Sequence, residues 1–156
     1  MSTTVIAHRG ASGEAPENTL AAFRLAWIQG ADGVEMDVHL SGDGQVLVHH
    51  DADTRRTAGV DLTLAETPAE QLRRLDVGSW KAPCFHGERI PTLAEVLVLN
   101  PAGTALVELK TGPEIAEPLA MVLEAFPTTP VRLISFHLHT LLACRAQMPA
   151  RPCYLV

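Results

Sequence analysis

The sequence predicts an α/β protein in which parallel strands form a barrel or an open sheet. Three observations favour this fold class. Strand-like and helix-like segments alternate along the chain, and histidines and carboxylates recur at or near the ends of the strand-like segments. Hydrophobic residues make up 47% of the 156 residues, whereas aromatic residues make up only 4%. Buried parallel strands have this aliphatic composition, and alternating strands and helices build parallel α/β folds.

The first part of the chain contains three predicted strands and one predicted helix. The strands cover residues 4–8, 33–40 and 45–50. Asn18 or Thr19 can cap the helix, which extends to about Gln29 because Gly30 follows its last turn. Residues 41–44, Ser-Gly-Asp-Gly, form a strong turn signal between the second and third strands.

The rest of the chain continues the alternation. Thr67, Pro68 and Glu70 predict a short helix that begins with a capping box, and Thr92 with Glu95 repeats this pattern. The further predicted elements are a loop over 76–90, a strand over 104–110, a helix over 113–126, a strand over 131–136, a helix over 138–148 and a sixth strand over 152–156. This order of elements favours one domain over residues 1–156.

Charge and composition disfavour several classes of protein. The net charge is −6, whereas a nucleic-acid-binding protein normally has a basic face. We expect no transmembrane segment and no signal peptide, because the chain has neither a run of about 18 apolar residues nor a basic and then apolar N-terminal segment. We therefore expect a cytoplasmic protein. Cys84, Cys144 and Cys153 match no metal or disulfide spacing, which favours free thiols in a reducing cytosol.

Carboxylates on two strands predict a metal site. Side chains alternate across a strand, so Glu35 and Asp37 share one face, and Glu108 and Lys110 share one face of a later strand. Carboxylates close together inside a fold repel each other and are costly to desolvate, and a divalent cation removes both problems. The all-oxygen set of Glu35, Asp37 and Glu108 favours Mg²⁺ or Ca²⁺ over Zn²⁺. The alternative is that these carboxylates are solvated on an edge strand.

Two histidines and two basic residues indicate the remaining chemistry. His8 and His50 each end a strand-like segment. Two histidines can act as general base and general acid on opposite sides of a scissile bond. Arg9 and Lys110 add positive charge beside the carboxylates, which indicates an anionic substrate group such as phosphate. The alternatives are histidines that are structural or exposed, and basic residues that form salt bridges to nearby carboxylates.

These motifs, in this order, resemble the glycerophosphodiester phosphodiesterase family. The matching segments are 7–10, 16–19, 30–38, 43–51, 90–93, 107–110 and 135–136. They span nearly the whole chain. The resemblance implies a TIM-type (β/α)₈ barrel and a metal-dependent hydrolase. Such an enzyme cleaves deacylated phospholipids, for example glycerophosphocholine or glycerophosphoethanolamine, into sn-glycerol 3-phosphate and an alcohol.

The resemblance also implies a role for each matching residue. It implies His8 and His50 as the acid/base pair, Glu35, Asp37 and Glu108 as metal ligands, Arg9 and Lys110 as phosphate ligands, and Glu17 and Asn18 as supporting residues. A small insertion after the third strand corresponds to about 51–89. The attacking group is either the substrate's own 2-hydroxyl, which gives a cyclic phosphate, or water.

The length of the chain departs from the family. An eight-unit barrel needs about 200–250 residues, so we expect a barrel truncated after about six strands. Three explanations stay open: a truncated gene product, a homodimer in which two chains complete or cover each other's barrels, and a longer chain of which this is the ordered part.

Three other functions compete with the leading one. The first is a catalytically impaired metal-binding fragment that acts as an oligomerisation or regulatory module. The second is a phosphodiesterase of sphingomyelinase D type that cleaves intact phospholipids, which would need an apolar, membrane-facing rim that the sequence does not reveal. The third and most remote is a metal-dependent aldolase or isomerase on the same barrel, since fold alone does not determine function.

Overall fold

A six-stranded sheet forms the centre of the molecule, and the computed structural model describes it within residues 3–100 and 103–156. The strands are β1 (Ile6–His8), β2 (Gly33–Leu40), β3 (Val46–Val48), β4 (Thr104–Leu109), β5 (Val131–Ser135) and β6 (Cys153–Leu155). Five of them are parallel and lie in the order β1-β2-β4-β5-β6. Within the described residues, β1 and β6 each pair with a single neighbour, so the strands form an open arc of the predicted TIM-type barrel.

The third strand differs from the other five in direction. β3 pairs with β2 in the antiparallel sense, with Val48 beside Val38 and Val46 beside Leu40. A tight turn joins the two strands, in which Gly44 has a φ of 78° and therefore takes a conformation that suits glycine. The six predicted strands are thus present, but β3 forms a hairpin with β2 and does not extend the parallel arc.

The described part of the chain has six α-helices: α1 (Leu20–Ile28), α2 (Arg55–Ala58), α3 (Ala69–Leu72), α4 (Leu93–Val98), α5 (Ala116–Glu124) and α6 (Leu138–Gln147). Four of them, α1, α4, α5 and α6, cover one face of the sheet. Single turns of 3₁₀ helix occupy Leu64–Glu66, Pro83–Phe85 and Pro113–Ile115. Phe23, Leu97, Leu119 and Leu141 pack into one apolar core with strand residues such as Met36. No helix in the described part of the chain is both long enough and apolar enough to cross a membrane.

The strand register brings the predicted polar residues together on the other face. His8 on β1 lies beside Glu35 on β2, and Asp37 on β2 lies beside Glu108 on β4. Because side chains alternate, the residues between them, such as Met36, point into the apolar core.

The segment that follows β3 packs on a second apolar cluster. Leu47 of β3 is buried there with Leu64, Leu72 and Ile90. The predicted insertion, at about 51–89, falls in this segment, which consists of short helical turns and loops. The segment therefore carries its own small core, separate from the core between the sheet and the long helices.

The structure confirms two predicted helix caps and corrects a third. Thr19 caps α1, and Thr92 forms the complete capping box of α4 with Glu95. Thr67, however, does not cap α3, because it lies in extended conformation at the end of a 3₁₀ turn and Pro68 occupies the capping position.

A residue distant in sequence replaces the missing cap of α3. The Asp43 carboxylate, in the turn between β2 and β3, accepts a hydrogen bond of 2.9 Å from the Ala69 amide. Glu70 pairs with Arg74 one turn along the helix, so it does not complete a capping box. A tertiary contact has therefore taken the place that the local pattern predicted for Thr67.

Candidate active site

Three buried carboxylates meet on the inner face of β2 and β4. Glu35, Asp37 and Glu108 are 5%, 0% and 9% exposed. One carboxylate oxygen of each lies within 4.8 Å of an oxygen of the other two. The alternation of side chains and the parallel register therefore bring together the three residues that the sequence predicted as metal ligands, and they are not solvated residues of an edge strand.

The chemistry of this cluster fits a hard divalent cation. Glu35 Oε1 is buried and has no hydrogen-bond partner in the described structure. Burial, and next to it the charge of Asp37, raises the pKa of Glu35 to about 7. A cation held by the three carboxylates would offset both the burial and the repulsion, and an all-oxygen donor set suits Mg²⁺ or Ca²⁺.

The loop after β1 closes over this cluster. The Arg9 amide donates a hydrogen bond of 2.9 Å to Glu35 Oε2, and Arg9 Nε lies 3.2 Å from Asp37 Oδ2. Asn18 Nδ2 donates to the same Asp37 oxygen at 2.8 Å. Arg9 and Asn18 have φ values of 58° and 57°, in the left-handed region that costs a residue other than glycine about 1–3 kcal/mol. The backbone is therefore strained at two residues that contact the carboxylates.

Lys110 completes the cluster on the side of β4. Its Nζ lies 2.6 Å from Glu108 Oε1 and 3.1 Å from Asp37 Oδ1. Burial alone would lower the pKa of Lys110, but hydrogen bonds to Glu108 and Asp37 outweigh it and raise the pKa. The salt bridges considered for Arg9 and Lys110 are thus present, and both cations lie directly beside the carboxylates.

The two predicted acid/base histidines come from the end of β1 and from the loop after β3. His8 ends β1, its side chain is 67% exposed, and its Nε2 lies 3.8 Å from Glu35 Oε2. His50 follows β3, and the amide of the preceding His49 bonds to the Asp37 carbonyl at 3.0 Å. Because β3 runs antiparallel to β2, the chain is again next to Asp37 where the loop that carries His50 begins.

Two charged residues to which the sequence assigned no role, Asp51 and Arg56, connect the loop after β3 with the predicted supporting residue Glu17. His50 Nδ1 lies 2.7 Å from Asp51 Oδ1, and Arg56 Nε donates to Asp51 Oδ2 at 2.7 Å. Arg56 also bonds both carboxylate oxygens of Glu17, which in turn accepts from Arg9 Nη1 at 3.0 Å. Arg56 comes from α2 in the segment after β3, and no local pattern in the sequence distinguishes it from its neighbours.

The electrostatics of this network keep its acids ionised. Burial would raise the pKa of Asp51, but hydrogen bonds from Arg56 and His50 outweigh it and lower the pKa to about 2. The pKa of Glu17 is likewise lowered, because bonds from Arg56 and Arg9 outweigh its partial burial. Both residues are therefore ionised at pH 7, and each acts only as a hydrogen-bond acceptor.

Two further histidines hold the backbone of the loop that carries His50. His39 Nε2 lies 3.0 Å from the His50 carbonyl, and His49 Nε2 lies 3.1 Å from the Asp53 carbonyl. Burial lowers the pKa of both His39 and His49. They are therefore neutral at pH 7, and each fixes a backbone carbonyl of the loop that carries His50.

Known proteins are similar to this chain in sequence and in fold. The family model of the glycerophosphoryl diester phosphodiesterase family matches residues 8–155. The protein YhdW of Bacillus subtilis is 41% identical over 153 residues, which cover 95% of this chain and 63% of that protein. A glycerophosphodiester phosphodiesterase of Caldanaerobacter subterraneus is 42% identical over 132 residues, or 81% of this chain and 54% of that enzyme.

The fold of this chain is also similar to that of a solved structure. An Oleispira antarctica phosphodiesterase, in complex with its product sn-glycerol-3-phosphate, superimposes with a TM-score of 0.94 at 37% identity. The match covers 98% of this chain and 65% of that enzyme, so the chain spans less than two thirds of the length of each of these relatives. With the family model matched over nearly the whole chain, this chain belongs to the glycerophosphoryl diester phosphodiesterase family.

Proposed function

We propose that this chain hydrolyses glycerophosphodiesters, such as glycerophosphocholine and glycerophosphoethanolamine, to sn-glycerol 3-phosphate and an alcohol. The observation that carries the proposal is the buried cluster of Glu35, Asp37 and Glu108, with Arg9 and Lys110 directly beside it. Such a cluster can hold a cation and leaves positive charge at its edge for a phosphate. The relatives named as phosphodiesterases, one of them bound to sn-glycerol-3-phosphate, support the same reaction class.

The three carboxylates would hold the cation. When bound, Mg²⁺ or Ca²⁺ supplies positive charge that polarises the phosphodiester and offsets the negative charge that develops in the transition state. Arg9 and Lys110 contact the two oxygens of Asp37, and we expect them to engage the remaining phosphate oxygens. Glu17 and Asn18 support this arrangement, because Glu17 holds the Arg9 guanidinium and Asn18 holds the Asp37 carboxylate.

His8 and His50 would transfer the protons. One imidazole accepts the proton of the attacking hydroxyl as its oxygen bonds to phosphorus. The other donates a proton to the oxygen of the leaving alcohol as the P–O bond breaks. Water as the attacker releases glycerol 3-phosphate directly, whereas attack by the substrate's 2-hydroxyl gives a cyclic phosphate that water then opens.

The direct test is release of glycerol 3-phosphate from both substrates with Mg²⁺, with Ca²⁺ and with EDTA. We expect release that depends on the metal and that EDTA abolishes. Glu35→Gln should prevent it, while Glu117→Gln, at an exposed position on α5, should not. A folded protein that binds the cation but releases no product with either metal would contradict the proposal and favour a metal-binding module without activity.

An apolar surface beside the site favours a second candidate substrate. Phe136 and Leu138 follow the carboxyl end of β5, on the same end of the sheet as the carboxylates, and both are exposed. Side chains of this kind can contact an acyl chain, so we propose lysophospholipids as the alternative phosphodiester. The assay above with lysophosphatidylcholine in micelles distinguishes the two, since Phe136→Ser should lower only the rate with the lipid.

We also propose that a second copy of the chain covers the free edges of the sheet. Exposed strand edges present unpaired backbone groups that pair readily with another strand. Tyr154 and Leu155 on β6 are exposed beside such an edge. Sedimentation velocity should show a dimer for the wild type and a monomer for Leu155→Lys, and a wild-type monomer at all concentrations would contradict the proposal.

A further inference from the structure

Arg56 joins two loops that approach the carboxylate cluster from different parts of the sequence. Its Nη1 and Nη2 bond the two oxygens of Glu17 at 3.1 Å and 2.7 Å, and its Nε bonds Asp51 at 2.7 Å. Glu17 lies in the loop between β1 and α1, whereas Asp51 lies just after β3. All three nitrogens of one guanidinium are therefore used, in the planar fork geometry that lysine cannot reproduce.

This hydrogen-bond network reaches Arg9 at one end and His50 at the other. On one side, Glu17 holds the guanidinium of Arg9, whose Nε lies 3.2 Å from Asp37 Oδ2. On the other side, Asp51 uses its second oxygen to contact His50 Nδ1 at 2.7 Å. Among the residues of this network, Arg56 is the one that bonds both loops. Its positive charge lies between the carboxylates of Glu17 and Asp51.

The contact with Asp51 determines which nitrogen of His50 faces the substrate. An ionised carboxylate can only accept a hydrogen bond, so the proton of the neutral imidazole lies on Nδ1. His50 Nε2 is then the atom free to accept or donate a proton. If Asp51 lost its second partner, its carboxylate could turn away and the ring could exchange its tautomer and its orientation.

Aromatic packing holds Arg56 in place from the far side. The centroid of the Trp80 ring lies 5.7 Å from Arg56 Cζ, within the range of a cation–π contact. Trp80 is itself fixed by a hydrogen bond of 2.9 Å from its indole nitrogen to the Val77 carbonyl. The adjacent Lys81 donates to the Ser12 carbonyl, and Ser12 Oγ donates to the His8 carbonyl, each at 2.8 Å.

From these contacts we infer that Arg56 is a positioning residue for the phosphodiester reaction, which holds His50 in one tautomer and one orientation relative to Arg9 and Asp37. The inference rests on the proposed function. Arg56 bonds Asp51 and Glu17 and does not bond His50 itself, so its effect on His50 passes through Asp51.

The neighbouring arginine provides a matched control. Arg55 lies on the same short helix and pairs with Asp61 at 2.6 Å, but both side chains of that pair are more than half exposed, at 66% and 60%. Its contacts do not include the residues of the site. Removing Arg55 therefore changes the net charge of α2 as much as removing Arg56 does and leaves the network intact.

The kinetic experiment compares Arg56→Ala, Arg56→Lys and Arg55→Ala in the Mg²⁺-loaded protein. We expect both Arg56 variants to lower kcat about 10–100-fold, as loss of a supporting partner in an active site typically does, with little change in KM. Lysine should fail to restore kcat, since it cannot bond two carboxylates in the fork geometry. Arg55→Ala should match the wild type. Arg56→Lys within a few-fold of the wild type would overturn the inference.

A spectroscopic measurement tests the same inference without turnover. The ¹⁵N shifts of the imidazole at alkaline pH should show the Nδ1–H tautomer of His50 in the wild type and in Arg55→Ala, and a mixture of tautomers in both Arg56 variants. Unchanged His50 shifts in Arg56→Lys would overturn the inference. If the wild type releases no product, the proposed function fails, but these shifts still decide whether Arg56 positions His50.

Discussion

The two halves of the site are built in different ways. The carboxylates lie on β2 and β4, in the middle of a hydrogen-bonded sheet with an apolar core directly behind them. The proposed acid/base histidines lie at the end of the edge strand β1 and in the loop after β3, and ion pairs between residues as far apart as Glu17 and Arg56 connect the loops that follow these two strands. The middle of two regular strands thus holds the proposed metal ligands, while a strand end and a loop carry the proposed acid/base groups. Changes in the first half should therefore affect metal binding, and changes in the second should affect turnover.

The largest expected effect is loss of the cation after a change in the strand-borne half. Asp37→Asn should weaken Mg²⁺ binding by more than about 100-fold, because loss of an outer-shell partner alone costs about 10–100-fold. Activity should fall to the level seen in EDTA. Isothermal titration calorimetry measures the affinity, with Glu117→Gln as the control. Wild-type affinity in Asp37→Asn would show that the cation binds elsewhere.

The next effect concerns the half of the site that carries the proposed acid/base histidines. His50→Ala and His8→Ala should each lower kcat by at least about 100-fold, since general acid–base catalysis contributes about 10²–10⁴-fold. Mg²⁺ affinity should stay near the wild-type value, because neither imidazole belongs to the carboxylate cluster. His139→Ala, at an exposed position on α6, is the control. A histidine variant within a few-fold of the wild type would remove that residue from the mechanism.

Without a cation, the strand-borne half should make stability depend on pH. The pKa of Glu35 is raised to about 7, so the folded chain binds the extra proton. The contribution of Glu35 to stability is then fully present at pH below the unfolded-state pKa of about 4.3 and is lost as the pH rises through about 7. In EDTA, the free energy of unfolding of Glu35→Gln minus that of the wild type should increase by about 1–3 kcal/mol from pH 5 to pH 8.

Urea unfolding of both proteins at the two pH values measures this difference. His39 and His49 have lowered pKa values and produce the opposite trend, but they do so equally in both proteins, so their effect cancels. Saturating Mg²⁺ should abolish the loss in the wild type. A difference between the two proteins that does not change with pH would mean that Glu35 is ionised throughout the range even without a cation.

The same contrast explains what the sequence could predict. Alternation along β2 was enough to place Glu35 and Asp37 on one face, and the parallel register then placed Glu108 beside Asp37. Local patterns also identified the hairpin turn and the capping boxes of Thr67 and Thr92, of which only the second forms. Arg56 and Asp43 were missed, because their partners are distant in sequence and no local period relates them. Local chemistry predicts well where backbone hydrogen bonds determine the geometry and poorly where single ion pairs between loops do.

The smallest expected effect is on helix capping, and it compares Thr67 and Thr92, which have the same local sequence pattern. Thr92 Oγ1 accepts a hydrogen bond from the Glu95 amide at the start of α4, whereas Thr67 makes no cap. Substitution by valine keeps the shape of the side chain and removes the hydroxyl. Thr92→Val should therefore cost about 1 kcal/mol in urea unfolding, and Thr67→Val less than about 0.5 kcal/mol. Asp43→Ala, which removes the cap that α3 uses, should resemble Thr92→Val. Equal losses for the two valine variants would show that Thr67 caps α3 after all and that the local pattern holds in both places.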